Sequence, residues 1–217
     1  MFHIVNRKEW KREAYFNHFS QLRCTFSMTA NINITELLKQ TRERKMKLYP
    51  ALIYMGSKVV NQHSEFRMSY NDKGELGYWE VLHPSYSIFH KEEELFSNVW
   101  TNFSNIFVEF YNRFMQDSVD YGDHPRLQAK GNPPTNIHPI SIIPWTSFTG
   151  FNLNINNEGN FLLPIITWGK YFKEAESVFI PLSVQVHHAV CDGYHSSLLI
   201  NEIQALADRC MDWLDKE

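Results

Sequence analysis

The stretch Val184–His195, "VQVHHAVCDGYH", connects the last predicted strand of the chain to its last predicted helix. Side chains two residues apart share one face of a strand. His188 is therefore predicted on the apolar face with Val184 and Val186, whereas His187 points to the opposite face. This stretch therefore determines where the final strand ends and the final helix begins.

The position of His188 at the end of a strand suits a general base. Partial burial disfavours the imidazolium, which leaves a neutral imidazole available near pH 7. Proton abstraction from an alcohol requires such a group. A histidine on an apolar face is more often a core residue with satisfied hydrogen bonds, so spacing alone leaves both interpretations open.

Asp192 and Gly193 form the predicted turn into the last helix. Glycine permits a positive φ, and the aspartate carboxylate can cap the helix or meet a buried arginine. A turn aspartate before a helix is common, so we expect a structural role for Asp192 rather than direct proton transfer.

Two other chemistries are conceivable at the same stretch. A metal site would need His188, Cys191, Asp192 and His195 to converge from a strand, a turn and a helix start, and the sequence holds no second ligand cluster. Cys191 as a nucleophile would have no partner base other than these histidines. We therefore predict a buried thiol at Cys191 and no metal.

Other segments supply further predicted elements. Apolar and polar residues alternate over Cys24–Thr35, which predicts a half-buried strand. We expect helices over Glu9–Phe19 and from a first turn that contains Pro50, and a hairpin at "NDKGE", residues 71–75.

Aromatic residues recur every three or four positions from Glu93 to Gln116, which predicts an amphipathic helix with its stripe in the core. The stripe is Phe96, Trp100, Phe103, Phe107, Tyr111 and Phe114. Strands are predicted at residues 151–156, 161–172 and 178–190, before a C-terminal helix. This order indicates a two-layer α/β (α+β) sandwich with a mixed sheet, in a single domain over residues 1–217.

Composition restricts the partners. The net charge is −3 and no basic block occurs, so nucleic acid and membrane surfaces have no electrostatic support. No apolar run approaches the roughly 18 residues that span a bilayer. The cysteines number three, and the N-terminus lacks the apolar stretch of a secretory signal, so we expect a reduced, cytoplasmic location.

The segment "PLSVQVHHAVCDGYH" resembles the signature of the trimeric chloramphenicol acetyltransferases (type A). Their wider superfamily shares His-His-x-x-x-Asp-Gly, which dihydrolipoyl acyltransferase cores and peptide-synthetase condensation domains also use. Four more segments resemble the same family in the same order: "EWKREAYFNHF", "KLYPALIY", "PSYSIFH" and "SIIPWTSFTGFNLN". The resemblance covers essentially the whole chain.

The resemblance implies a homotrimer with active sites at subunit interfaces and antibiotic resistance as the outcome. Acetyl-CoA would be the co-substrate, without a metal, and the acetyl group would pass directly to the primary hydroxyl of chloramphenicol. His188 matches the general base, Ser141 the oxyanion donor and Thr167 a threonine that holds an ordered water. Asp192 matches an aspartate paired with an arginine, here Arg12.

The same comparison implies the binding residues. Those near CoA would be Lys47, Lys170, Tyr171 and Trp145. Those lining the antibiotic pocket would be Phe19, Cys24, Phe26, Ser87, Phe96, Phe151, Leu153 and Ile165. The sequence departs from better-known members at Pro139, Gln128 and Phe19, which affects the expected affinity rather than the catalytic set.

Two alternatives remain beside this interpretation. One is a CoA-dependent acyltransferase of the same superfamily that acts on another alcohol or thiol. The other is a non-catalytic relative that binds the antibiotic or CoA, in which the histidines only shape a pocket.

Overall fold

The computed structural model describes residues 1–123, 125–153, 155 and 159–216. Its strands are β1 (Phe2–Ile4), β2 (Thr25–Asn33), β3 (Met68–Tyr70), β4 (Leu76–Trp79), β5 (His83–His90), β6 (Leu95–Trp100), β7 (Ile137–Ile142), β8 (Ile165–Trp168), β9 (Phe172–Glu174) and β10 (Ser177–His187). Its helices are α1 (Glu13–Gln21), α2 (Thr35–Glu43), α3 (Leu48–Gln62), α4 (Phe107–Tyr121) and α5 (Gly193–Asp208), with 3-10 turns at Ser64–Arg67 and Cys210–Asp212.

The large sheet has the strand order β2-β10-β8-β7-β5-β6, with β9 also paired to β10. Pairing is mixed, because β7 is parallel to both β5 and β8 while the other pairs in this sheet are antiparallel. A separate small sheet has the strand order β1-β4-β3. The predicted mixed sheet is confirmed.

Helix α3 packs directly on the large sheet at Gly56. A β-carbon built on Gly56 would lie 2.9 Å from Cδ1 of Ile140 in β7 and 3.3 Å from Cδ1 of Ile166 in β8. Helix α5 contacts both α3 and β2, so the helices form one layer and the sheet the other. None of the helices among the described residues is both long and apolar enough to cross a membrane.

The hairpin predicted at residues 71–75 is confirmed and joins β3 to β4. The Asn71 side-chain oxygen accepts from the backbone N–H groups of Lys73 and Glu75, at 3.0 and 2.9 Å. Gly74 takes a positive φ of 76° in this turn, which glycine adopts without a steric penalty.

The helix predicted from Glu93 to Gln116 is wrong in its first half. Residues Leu95–Trp100 form β6 and pair antiparallel with β5, and the helix α4 begins only at Phe107. Phe96 is half exposed (50%), so it does not belong to the core as its spacing predicted. Tertiary pairing with β5 outweighs the helical spacing of the aromatic residues.

The strand predicted at residues 151–156 is also wrong for the residues described there. Phe151 and Leu153 are bonded by side chains of β10 instead of a neighbouring strand: the Ser183 hydroxyl donates to the Phe151 carbonyl, and the Leu153 N–H donates to Gln185 Oε1. Asn154 and Asn156 lie outside the described residues. The strand predicted at residues 161–172 is divided between β8 and β9.

Candidate active site

The ring of His188 lies directly after β10, which ends at His187. The His188 backbone N–H donates to the Cys24 carbonyl at 2.8 Å, and its ring Nδ1 lies 3.1 Å from the Cys191 carbonyl oxygen. Because a carbonyl oxygen only accepts, Nδ1 carries the proton and Nε2 is the basic nitrogen. The turn thereby selects the tautomer that a general base needs.

Two aromatic rings hold the imidazole of His188 in place. Phe19 stacks on it with ring centroids 3.8 Å apart and an interplanar angle of 7°, and Phe26 meets it edge-on at 5.1 Å. The His188 side chain remains half-buried. Three members of the predicted antibiotic pocket, Phe19, Cys24 and Phe26, thus surround His188.

Arg12 ties the turn after His188 to the first helix. Its Nε donates to the Ala189 carbonyl at 2.9 Å, and its Nη2 donates to the His188 carbonyl at 3.0 Å. Its Nη1 lies 3.0 Å from Asp192 Oδ2. The predicted contact between Arg12 and Asp192 is present, and it reaches the base through the backbone of the turn.

Asp192 is the N-cap of α5. Its Oδ1 accepts from the Tyr194 N–H at 3.0 Å and lies 2.9 Å from Nδ1 of His195. The Asp192 backbone N–H, 3.2 Å from the same Nδ1, completes a capping box. Burial acts to raise the pKa of Asp192, but hydrogen bonds from Arg12 and His195 outweigh it and hold this pKa at about 2. The structural role expected for Asp192 therefore agrees with its contacts.

Gly193 does not use the positive φ that glycine permits. Gly193 is the first residue of α5, and its φ lies outside the positive range. The preceding residue, Asp192, is the N-cap and takes the extended conformation (φ −131°, ψ −172°). A β-carbon on Gly193 would meet no atom within 4 Å.

Cys191 is a buried thiol, as predicted. Its Sγ lies 3.7 Å from the Glu65 carbonyl oxygen, and its side chain is 1% exposed. Burial raises the pKa of Cys191 well above its usual value, which opposes a thiolate nucleophile. In the described ranges, no group of three or more His, Cys, Asp or Glu residues is arranged to hold a metal ion.

A second set of predicted residues lines a cavity of about 720 Å³ at the carboxyl ends of β5 and β7. The predicted residues in its wall are Lys47, Ser87, Phe96, Ser141, Trp145 and Phe151. Its size is within the range of small-molecule sites, about 300–1,000 Å³. Predicted antibiotic and CoA residues therefore meet in one space.

Polar side chains cross the sheet in one row beside this cavity. Ser141 of β7, Thr167 of β8 and Ser183 of β10 are paired in register, so their side chains share a face. Ser141 Oγ lies 3.3 Å from Thr167 Oγ1. The two hydroxyls can act on the same reacting group.

The remaining predicted residues do not line this cavity. The Lys170 N–H donates to the Thr146 carbonyl, next to Trp145, and the Tyr171 hydroxyl accepts from Arg42 at 3.5 Å. Ile165 is buried in β8 and borders a much smaller cavity beside His187. Leu153 is about half exposed (47%).

Sequence reasoning missed some residues of the cavity wall. Phe89 lines it and meets Trp145 edge-on at 4.7 Å, and Tyr49 donates from its hydroxyl to the Ser87 carbonyl. The two-residue period of β5 places Phe89 on the same face as Ser87, which could have identified it. Tyr49 lies in the same "KLYP" segment as Lys47.

Within one chain, the cavity and the histidine are far apart. His188 is five residues beyond Ser183, and Ser183 is two strands away from Ser141. At about 3.3 Å per residue and about 4.8 Å per strand, the Cα atoms of Ser141 and His188 lie about 19 Å apart. They cannot act on one substrate atom unless a second copy contributes one of them.

The fold is the one that a solved chloramphenicol acetyltransferase and dihydrolipoamide acetyltransferase cores adopt. A solved chloramphenicol acetyltransferase has a TM-score of 0.83 at 19% identity, over 95% of this chain and 100% of that one. The dihydrolipoamide acetyltransferase of Azotobacter vinelandii has a TM-score of 0.67 at 14% identity, over 93% of this chain and 88% of that one. At such identities the likeness concerns the fold.

Sequence comparison identifies the family. The family model for chloramphenicol acetyltransferase matches residues 1–204. A chloramphenicol acetyltransferase of Clostridium butyricum is 50% identical over all of this chain and 99% of its own length, and one of Vibrio anguillarum is 48% identical over 94% of this chain and 93% of its own. The chain belongs to the chloramphenicol acetyltransferase family.

Proposed function

We propose that this protein transfers the acetyl group of acetyl-CoA to the primary hydroxyl of chloramphenicol and thereby confers resistance to the antibiotic. The observation that carries the proposal is the tautomer of His188: its Nδ1 faces the Cys191 carbonyl, which leaves Nε2 basic. Family membership supports the choice of both substrates.

The proposed reaction needs one base and no covalent enzyme intermediate. Nε2 of His188 accepts the hydroxyl proton as the oxygen attacks the thioester carbonyl. The tetrahedral intermediate collapses, the carbon–sulfur bond breaks, and the imidazolium returns the proton to the CoA thiolate. Products are the acetyl ester and free CoA.

Ser141 and Thr167 are proposed to act on the tetrahedral intermediate. The Ser141 hydroxyl would donate to the developing oxyanion, a contact worth about 3–4 kcal/mol of barrier in comparable sites. The Thr167 hydroxyl, 3.3 Å from that of Ser141, would hold an ordered water beside it. Arg12 and Asp192 would position the base through the turn and would not touch the substrate.

A homotrimer with shared sites belongs to the same proposal. The separation of about 19 Å between Ser141 and His188 in one chain, obtained from strand spacing, supports a site built by two copies. His188, Phe19 and Phe26 of one copy would then face the cavity of its neighbour. Three copies in a ring would form three such sites.

The binding of CoA is proposed at the cavity mouth. Lys47 and Trp145 stand in its wall, and the backbone contact of Lys170 to Thr146 brings Lys170 and Tyr171 close to Trp145. Ammonium groups suit phosphates and aromatic rings suit adenine. A cytoplasmic location, where such a co-substrate is available, stays a prediction from the sequence.

Chloramphenicol-dependent release of free CoA, followed by absorbance with a thiol reagent, tests the proposal. The parent protein should release one CoA for each chloramphenicol that is acetylated. The substitution His188→Ala should lower kcat by about 10²–10⁴-fold. Circular dichroism and chloramphenicol binding control for folding. Turnover of His188→Ala within tenfold of the parent would remove His188 from this role, and CoA binding without chloramphenicol turnover would indicate a different acceptor.

A further inference from the structure

His187, next to the proposed base, has its own distinct environment. Its side chain is only 2% exposed. Its ring Nδ1 accepts from the backbone N–H of Ala189 at 3.1 Å. Its backbone carbonyl accepts from the N–H groups of Val190 and Cys191, at 3.1 and 3.0 Å. His187 therefore bonds three successive residues of the turn that carries His188.

The other ring nitrogen of His187 is enclosed. Since Nδ1 accepts, the neutral ring carries its proton on Nε2. Nε2 is buried, and no atom of the described residues accepts its hydrogen bond. A buried donor without an acceptor is destabilising, so this group calls for a partner.

A cavity of about 10 Å³ adjoins this ring. One water molecule needs about 10–15 Å³ of such volume and two to four polar partners. Besides His187, Thr25 and Gln185 supply polar groups in the wall, and the other wall residues are apolar. No charged side chain of the described residues borders this cavity.

We propose that one buried water accepts the Nε2 proton of His187, and that His187, held in this tautomer, is a positioning residue for His188. This inference rests on the proposed function for its kinetic part. Protonation at Nδ1 would break the bond to the Ala189 N–H and release the turn. Burial, together with the neighbouring His188, lowers the pKa of His187 and so favours the neutral ring, in which Nδ1 accepts from Ala189.

Two substitutions separate the roles of the two ring nitrogens. In His187→Asn, the side-chain oxygen stands about where Nδ1 stands and keeps an acceptor for Ala189, whereas His187→Leu removes both nitrogens. We expect His187→Leu to lower kcat about 10–100-fold at nearly constant KM, since small misplacements of a base cost such factors. His187→Asn should recover kcat to within about threefold of the parent.

Val186→Ala is the matched control. Val186 borders the same cavity and is buried, so its truncation lowers stability without touching the turn. It should keep kcat within about twofold of the parent. If His187→Leu keeps kcat within twofold, or if His187→Asn is no better than His187→Leu, His187 does not position the base. Should His187→Leu fail to fold, His187→Gln, whose oxygen is displaced from Nδ1, replaces it.

Neutron crystallography of the unaltered protein near pH 7 tests the water independently of any substrate. The expected map shows a proton on Nε2 of His187, none on its Nδ1, and one water in the cavity. A dry cavity or a proton on Nδ1 would overturn the proposal. Failure of chloramphenicol turnover alone would leave this map unchanged, so the two proposals can fail separately.

Discussion

At the scale of single residues, the arrangement around His188 depends on a few polar contacts. Arg12 donates to two carbonyls of the turn and pairs with Asp192, while Asp192 also caps α5. One carboxylate therefore joins the turn, the first helix and the last helix. Removal of its charge should therefore lower both the stability of the protein and its catalytic rate.

The pH dependence of stability should reveal this carboxylate. The pKa of Asp192, about 2, lies below its ordinary value of 3.8. A lowered pKa stabilises the folded state above the ordinary value, and this contribution is lost as the pH falls from about 4 towards 2. Thermal unfolding should thus show Asp192→Asn less stable than the parent at pH 6, with the gap narrowing below pH 4.

Asp72→Asn, an exposed residue in the turn between β3 and β4, is the control and should follow the parent at every pH. A difference in stability between the parent and Asp192→Asn that stays constant from pH 6 to pH 2 would contradict the assigned contacts.

The residue types of this site were predictable from the motif. Their separation by about 19 Å within one chain could not be derived from spacing, because distance across a sheet depends on strand order; only the family resemblance implied a site shared between subunits.

At the scale of elements, α3 and the sheet approach each other closely at Gly56. Gly56→Leu should lower the free energy of unfolding by about 1–3 kcal/mol, because overpacking forces side chains and backbone apart. Gly193→Ala, where a β-carbon meets no atom within 4 Å, should leave this free energy unchanged or raise it by up to about 1 kcal/mol. Denaturant unfolding measures both, and equal stabilities of the two variants would rule out tight packing at Gly56.

The elements show which sequence signals suffice. The β3–β4 hairpin was predictable because Asn71 and Gly74 determine its turn locally. Strand β6 was not, since its aromatic spacing also fits a helix and only pairing with β5 decides. The segment around Phe151 alternates like a strand, but side chains of β10 take its backbone bonds.

At the scale of the whole molecule, a shared site predicts complementation between inactive chains. The Ser141→Ala and His188→Ala proteins, each expressed alone, should be nearly inactive. When both chains are co-expressed in equal amounts, random assembly gives an intact Ser141 facing an intact His188 at about a quarter of interfaces. CoA release should then recover to about a quarter of the parent rate.

Mixing the two separately folded variants, without exchange of chains, is the control and should give no recovery. Absence of recovery in the co-expressed sample, with mixed assemblies verified by mass spectrometry, would place the site within one chain.

The bond between Arg12 and Asp192 spans 180 residues of the chain. Arg12 leaves the ribosome long before its acceptors in the turn after His188 are made. A nascent chain therefore cannot form these bonds until Asp192 has been synthesised. Loss of Arg12 would remove three hydrogen bonds from a turn that lies 176–180 residues further along the chain.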